Sequence, residues 1–507
     1  MRFVLLALAL LAAGPGPAPA AVDAWEDEIN LSQTATDSET GLGHHPLAVT
    51  TDGVLHVVWA EKDGPNQNYR IRTRRLDQGA WTGSELIVDY LATDPGTNGG
   101  AKYPALAALP DGSLHLFWHD YRVAGINNVE IYTKELAAGS AWNAAQSADV
   151  RLTTTSHPET NGDNGYVPVP AVAPDGALHV AWYDFRYDGS NAEILAKHRP
   201  AGGSWDLTPG DAADDRVTTD GDGSEFAALG VDAAGDVHAA WKSLGSGTRL
   251  FYSVRDSGTG TWSVPTRLDS SSAVAGAPAL AVEPSGRVHV VWPDAAEGGR
   301  ALRTRFRETN GTWSAALRLT PPSFGADEPA LSASPDGSVH LVWHDGRNSL
   351  FSPEVLHRVK EPGAAWDTTT ADDFPVSGAM HGAVRPSVLA HGDDVFVLWR
   401  DGRAGNNEIY FRKGGPAATD VSAQPGSGRI ALRAFPNPSR GGAVRFTRTD
   451  GRATGPLEIV DPAGRIVRRL RTGEPWDGRT TAGVPVSTGA YFVRSREDGT
   501  ARVTVLR

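Results

Sequence analysis

The chain has 507 residues, a formal net charge of -13, 40% hydrophobic and 21% charged residues, and no cysteine. This composition describes a folded globular protein. The acidic balance argues against nucleic-acid binding, and the missing thiols exclude disulfides, thiolate metal sites and a cysteine nucleophile.

Arg2, the apolar run Phe3 to Ala13 and the small residues Ala18-Pro19-Ala20 read together as a secretory signal peptide over 1–20. The run is too short for a bilayer span, and no later stretch reaches about 18 continuous apolar residues. The expectation is an exported protein, secreted or displayed on the outer cell surface, with no membrane span.

From residue 21 to 415 one pattern recurs seven times: a strand opened by proline (Ala227 in the fourth copy), a turn such as Pro110-Asp111-Gly112, then His-x-x-Trp (Phe396 for the histidine in the seventh). The tryptophans are Trp59, Trp118, Trp182, Trp241, Trp292, Trp343 and Trp399, about 57 residues apart. A third strand follows each, such as Glu130-Ile131-Tyr132, and then a fourth opened by another tryptophan, such as Trp81 or Trp142. Four antiparallel strands at this period describe a β-propeller blade, so the fold class is all-β with a seven-bladed propeller over 21–415. A fourth-strand signature stands alone at Trp25 to Leu31, and the last copy stops after its third strand near Lys413. The N-terminal strand is therefore expected to complete blade seven and close the ring.

Alternation along a strand puts Val57 and Trp59 on one side and His56 and Val58 on the other. The repeated tryptophan reads as a wedge between blades. The six equivalent histidines, His56, His115, His179, His238, His289 and His340, read as structural. No metal site and no cofactor are expected.

These repeats, Pro-Asp-Gly-x-x-His-x-x-Trp plus Trp-x-Asp-x-Arg, resemble those of sialidase-like, BNR-type propeller proteins of bacterial secretions. The resemblance implies a bladed ring with a glycan-directed face. The Asp-box is only hinted at in Asn310-Gly311-Thr312-Trp313, and the Arg-Ile-Pro signature of true sialidases is absent. No Tyr–Glu nucleophile pair stands out, and no catalytic residue is assigned.

In a propeller, the loops between strands two and three share a rim with the blade-to-blade loops. Long loops lead into blades one to three, at 32–45, 89–102 and 153–166, and mark that rim for binding. It also carries a repeated charge set: Asp120, Arg122 and Glu130; Asp184, Arg186 and Glu193; Asp345, Arg347 and Glu354; Asp401, Arg403 and Glu408. Their joint presence in blades two, three, six and seven suggests one unit, an arginine fork held by both carboxylates, structural or ligand-binding. Asp220 to Glu225 resembles part of a calcium loop without its full spacing.

Residues 416–428 read as a linker. The tail, 429–507, has fifteen Arg, no Lys and seven acidic residues, a net +8 against the acidic remainder. Phe435-Pro436-Asn437-Pro438, Asp461-x-x-Gly464-Arg465, Trp476-Asp477-Gly478 and Gly489-Ala490-Tyr491-Phe492 resemble the Ig-like β-sandwich domain shared by FlgD-type proteins and type IX secretion sorting tails. That resemblance implies export or surface attachment. Three functions remain open: a monomeric binding propeller for glycans or extracellular and envelope proteins, a sialidase-like glycoside hydrolase, and a purely structural envelope component.

Overall fold

The computed structural model describes residues 24–415 except 41–44, 64–67, 90–99, 123–128, 154–166, 188–190, 209–213, 220, 350–351, 371–372 and 379–380. In the C-terminal part it describes 432–435, 444–448, 457–460, 465–471, 474–487, 489–495 and 499–505. The chain divides into two compact units, Met1–Pro416 and Ala417–Arg507. The leader sequence 1–20 and the linker 416–428 lie outside the described residues, as does Asp220 of the calcium-like segment.

The first unit is a seven-bladed propeller of antiparallel sheets. The only helical segments among the described residues are the short 3-10 turns Gln146–Ala148 and Pro322–Phe324. Blade two shows the plan: Ala101–Ala108, Leu114–Asp120, Glu130–Leu136 and Val150–Arg151 follow one another as neighbours in the sheet. The Pro-Asp-Gly turns work as the residue types demand. Gly112 takes φ 85°, and the Asp111 carboxylate accepts the Ser113 N–H at 2.9 Å. In blade one the tryptophan opens the pairing, with Trp81 opposite Leu76, whereas in blade two the fourth strand is shorter and later than the tryptophan signature suggests. There Trp142 lies in the loop ahead of Val150–Arg151.

All seven repeated tryptophans are at most 1% exposed. Each packs against the preceding blade: Trp118 clusters with Ile71, Ile87 and Val88 of blade one, and Trp343 with Val291, Leu302 and Leu319 of blade five. Trp59 meets Leu398, Ile409 and Phe411, so blade seven packs on blade one. Burying these rings is the main adhesive between blades, at roughly 25 cal/mol per Å² of apolar surface. Two short strands, Ala24–Trp25 and Ile29–Asn30, pair with Glu408–Gly415, placing Ala24 opposite Gly415 and Ile29 opposite Phe411.

The innermost strands line an axial channel. On the side of the Pro-Asp-Gly turns it opens into a space of about 580 Å³ walled by small residues of all seven blades, Val49, Ala108, Val172, Val231, Val282, Ala333 and Ala390 among them.

The described part of the second unit holds a two-stranded sheet, Leu432–Phe435 with Arg445–Arg448, and a four-stranded one ordered Ile466–Leu470, Leu457–Val460, Gly489–Ser495, Gly499–Val505. Val444 and Phe446 share a core with Leu457, Ile459, Tyr491 and Val493 around a fully buried Trp476. The indole donates to the Arg479 carbonyl at 2.9 Å, and Asp477 accepts the Arg479 N–H at 3.1 Å, which accounts for Trp-Asp-Gly-Arg as a folded turn.

Candidate functional site

The repeated charges form a clamp inside the ring. In blade two the Trp118 indole N–H donates to Asp120 at 2.9 Å, and Asp120 also accepts the Arg122 backbone N–H at 2.9 Å and its guanidinium. Blades three, six and seven repeat the indole contact through Trp182–Asp184, Trp343–Asp345 and Trp399–Asp401 at 3.0, 2.9 and 3.4 Å. In blades one, four and five the indole nitrogens of Trp59, Trp241 and Trp292 find no partner among the described residues.

The second carboxylate of each fork is not the glutamate the sequence reading proposed. Arg122 reaches Asp149 at 2.6 Å, Arg186 reaches Asp214 at 2.7 Å, Arg347 reaches Asp373 at 2.8 Å, and Arg403 reaches Glu28. The arginine folds back over the sheet, its guanidinium 4.6 Å from the Tyr132 ring in blade two, and so meets the acid just before the fourth strand. A second cation on the third strand completes the chain: Lys134 to Asp149 at 2.8 Å, Lys197 to Asp214 at 2.9 Å, Arg358 to Asp373 at 2.6 Å. Lys134 and Arg358 also donate to the carbonyls of Ile87 and Leu319 in the preceding blades, at 2.8 and 3.0 Å. Burial opposes the charge on Arg122 and Arg186, but their two aspartates outweigh it and raise both pKa values.

Glu130, Glu193, Glu354 and Glu408 do different work. Glu130 accepts from Thr153 and Arg151, Glu193 from Thr218 and from Arg216 at 2.9 Å, Glu354 from Asn348 at 3.1 Å, and Glu408 from Ser32 and from the Thr34 N–H at 3.1 Å. The same hydroxyl groups accept the next N–H of the third strand, as in Ile131 to Thr153 at 2.9 Å and Ile409 to Ser32 at 2.9 Å. Burial pushes the Glu130 carboxyl up to about 7, against the pull of Thr153 and Arg151. All twelve residues are thus engaged within the fold. The loops at 90–99 and 154–166, central to the expected binding rim, lie outside the described residues.

The other mouth of the channel, where the innermost strands begin, is where the blades differ. Two positions in each repeat converge there. The residue before the leading proline is His45, Tyr103, Phe226, Glu328 or Arg385, each at positive φ between 49° and 57° (in blade four Ala227 stands for the proline). A non-glycine residue pays for that conformation, more so before proline, and such strain concentrates at functional sites. The residue after the repeated tryptophan is His119, Tyr183, Lys242, His344 or Arg400 in blades two, three, four, six and seven.

One half of this mouth is ionic. Glu39 stands opposite Ala60 in blade one and takes Arg385 at 3.2 Å, Arg400 at 3.8 Å and the Tyr69 hydroxyl at 3.3 Å. Glu328 accepts the Arg385 N–H at 2.8 Å and lies 3.2 Å from His344. Burial would raise the Glu328 carboxyl, but His344 and Arg385 overcome it and hold it at about 2. Tyr69 is pushed up by burial and then by Glu39. The other half is aromatic and cationic. Tyr103 meets His119 edge-on at 4.8 Å, Lys102 sits 4.8 Å from the Tyr69 ring and 5.4 Å from Tyr121, and Phe226 lies 5.6 Å from Tyr183 and 5.1 Å from Lys242.

Tyr69 and Glu39 therefore form the Tyr–Glu contact that the sequence did not reveal, because blade topology rather than spacing joins them. The signal for the whole ring was present as the non-repeating residue after each tryptophan.

Among solved structures the chain is similar to the polysaccharide lyase Uly1, with 11% identity, 77% of this chain and 99% of that one covered, and a TM-score of 0.52. It is also similar to the intramolecular trans-sialidase from Ruminococcus gnavus (14% identity, 77% and 100% covered, TM-score 0.40) and the GH93 α-L-arabinofuranosidase of Fusarium graminearum (13%, 66% and 98%, 0.43). At these identities the likeness to Uly1 establishes the propeller fold alone. No curated protein sequence matches the chain. Residues 43–269 match the family model described as BNR repeat-containing family member, which places a BNR repeat signature on the first four blades of the ring.

Proposed function

We propose that this protein is an exported glycan-binding propeller whose site is the strained, non-repeating axial mouth. The carrying observation is that ionisable and aromatic side chains that differ from blade to blade converge at this mouth of the axis, while the tryptophans around them repeat in all seven blades and the clamps in four. Aromatic faces suit the C–H surface of a sugar ring, and the Glu39, Glu328, Arg385 and Arg400 groups suit its hydroxyl groups. The polysaccharide lyase Uly1 among the similar folds is in keeping with a carbohydrate ligand. An extracellular protein bearing such glycans is the natural partner, and the protein acts as a monomer.

The remaining parts serve this role. The leader 1–20 directs export, and the pairing of Ala24–Trp25 and Ile29–Asn30 with blade seven fastens the ring. The basic tail is an Ig-like domain of the FlgD type used for export or surface attachment.

Affinity electrophoresis of residues 21–507 in gels cast with bacterial and algal polysaccharides tests the reading. Retardation that is lost in Tyr103→Ala and Arg400→Ala, with unchanged melting temperature, is expected. Retardation unaffected by both would refute it. A second reading, a sialidase-like hydrolase, is favoured by Tyr69 hydrogen-bonded to Glu39 beside two arginines, because sialidases use a tyrosine nucleophile. Here Glu39 and Glu328 already pair with the two arginines, so no turnover of a fluorogenic sialoside is expected. Turnover that disappears in Tyr69→Phe would establish the hydrolase instead.

A further inference from the structure

On the face of the Pro-Asp-Gly turns, a pocket of about 380 Å³ lies between blades three and four, away from the axial mouth. Its polar lining is His179, His198, Arg255, Ser257 and Asp175, and its apolar walls include Pro174 and Pro200. The neighbouring boundary shows the pattern from which it departs. In blade two His115 stands opposite Glu135, and Arg199 of blade three comes to 3.7 Å from that carboxylate. In blade three the residue opposite His179 is His198 instead. Arg255 occupies the place of Arg199, at the same end of the third strand, without a carboxylate facing it at that position.

The polar groups are correspondingly unspent. His179 is 7% exposed, stacks on His198 at 6.0 Å, and makes no hydrogen bond with the described residues. Three of the equivalent histidines do, His238 to Tyr252 at 2.6 Å, His289 to Glu283 at 2.7 Å and His340 to His357 at 3.0 Å, whereas His115 likewise bonds no described residue and has only the Glu135 carboxylate at 3.7 Å. Arg255 gives its Nε to Asp215 at 3.1 Å, while its terminal nitrogens bond no described residue.

We propose that this pocket binds an oxyanion carried on a small sugar-sized body, a carboxylate or sulfate taking the place that Glu135 fills in blade two. The guanidinium grips the anion with its outer edge, the two imidazoles donate N–H bonds, and the prolines flank the ring. This site is independent of the axial mouth and does not rest on the reading given for it.

Isothermal titration of residues 21–507 with sodium glucuronate, glucose and sodium sulfate at matched ionic strength tests it. Glucuronate should bind saturably and glucose should not, and Arg255→Gln should weaken glucuronate by about tenfold or more, the usual effect of losing one charge-assisted contact. His198→Ala, an exposed position, should weaken it several-fold with an unchanged melting temperature, which separates lost binding from lost folding. Binding retained in both variants would place the anion elsewhere, the axial mouth included, and overturn the proposal. Binding of sulfate without glucuronate would overturn the sugar-sized ligand, and no binding of either anion would overturn the site.

Discussion

Replacing Asp214 by alanine tests whether the repeated charges hold the ring or serve a ligand. Asp214 sits between Arg186 at 2.7 Å and Lys197 at 2.9 Å, and all three side chains are no more than 2% exposed. The substitution leaves Arg186 paired with Asp184, itself 3% exposed, and takes the carboxylate from buried Lys197, which keeps the Asp206 carbonyl at 2.8 Å. An uncompensated buried charge of this kind costs about 3–5 kcal/mol. For a ring of roughly 390 residues, at about 2.1 cal/mol/K per residue of unfolding entropy, that is a fall of about 4–6 °C in melting temperature. Scanning calorimetry and the urea midpoint should both show it. Asp214→Leu combined with Lys197→Met removes the charges as a pair and should recover most of the loss. An exposed pair provides the control, since Arg318→Ala, opposite Glu297 with 49% and 37% of the side chains exposed, should change stability by less than about 1 kcal/mol. If Asp214→Ala melts like the parent protein but loses a ligand, the clamp is a binding element and the structural argument fails.

Three further outcomes are expected. Trp343→Ala, which empties a fully buried site between blades five and six, should cost about 3–5 kcal/mol, and an unchanged urea midpoint would show that the ring does not depend on this wedge. Burial lowers the imidazoles of His56, His115, His179 and His340 to about 4. Their folded pKa lies below the unfolded value, so their contribution is complete above about pH 6.5 and is lost toward pH 4, at up to about 1.4 kcal/mol per pH unit for each. Glu130, raised to about 7, acts in the opposite sense and gives up its contribution as pH rises through 7. Melting temperatures from pH 8 to 4 should therefore fall steeply below 6.5, and a flat profile would contradict the buried, neutral histidines. Deleting residues 21–32 removes the partners of Glu408–Gly415 and the hydroxyl of Ser32 from Glu408, and should expose a strand edge that aggregates, which light scattering would detect.

The period of about 57 residues, the Pro-Asp-Gly turns and the His-x-x-Trp strands were sufficient to read seven blades, because each is a local signal: a turn needs its glycine, a strand its alternation, a wedge its large apolar ring. The tryptophan wedges follow from the same alternation. The clamp was half legible. Asp120 and Arg122 are two residues apart and visibly repeat, but Asp149 and Lys134 become their partners only when a third and fourth strand lie beside them. Glu130 looked like part of that fork by spacing and is turned instead toward Thr153 and Arg151. The axial mouth was legible only as the non-repeating residue after each tryptophan, since Glu39 and Tyr69 lie far along the chain from Glu328, Arg385 and Arg400. No sequence separation relates residues 39 and 400. They meet because seven inter-blade interfaces, each turning the chain by the same sense, bring the last blade back against the first.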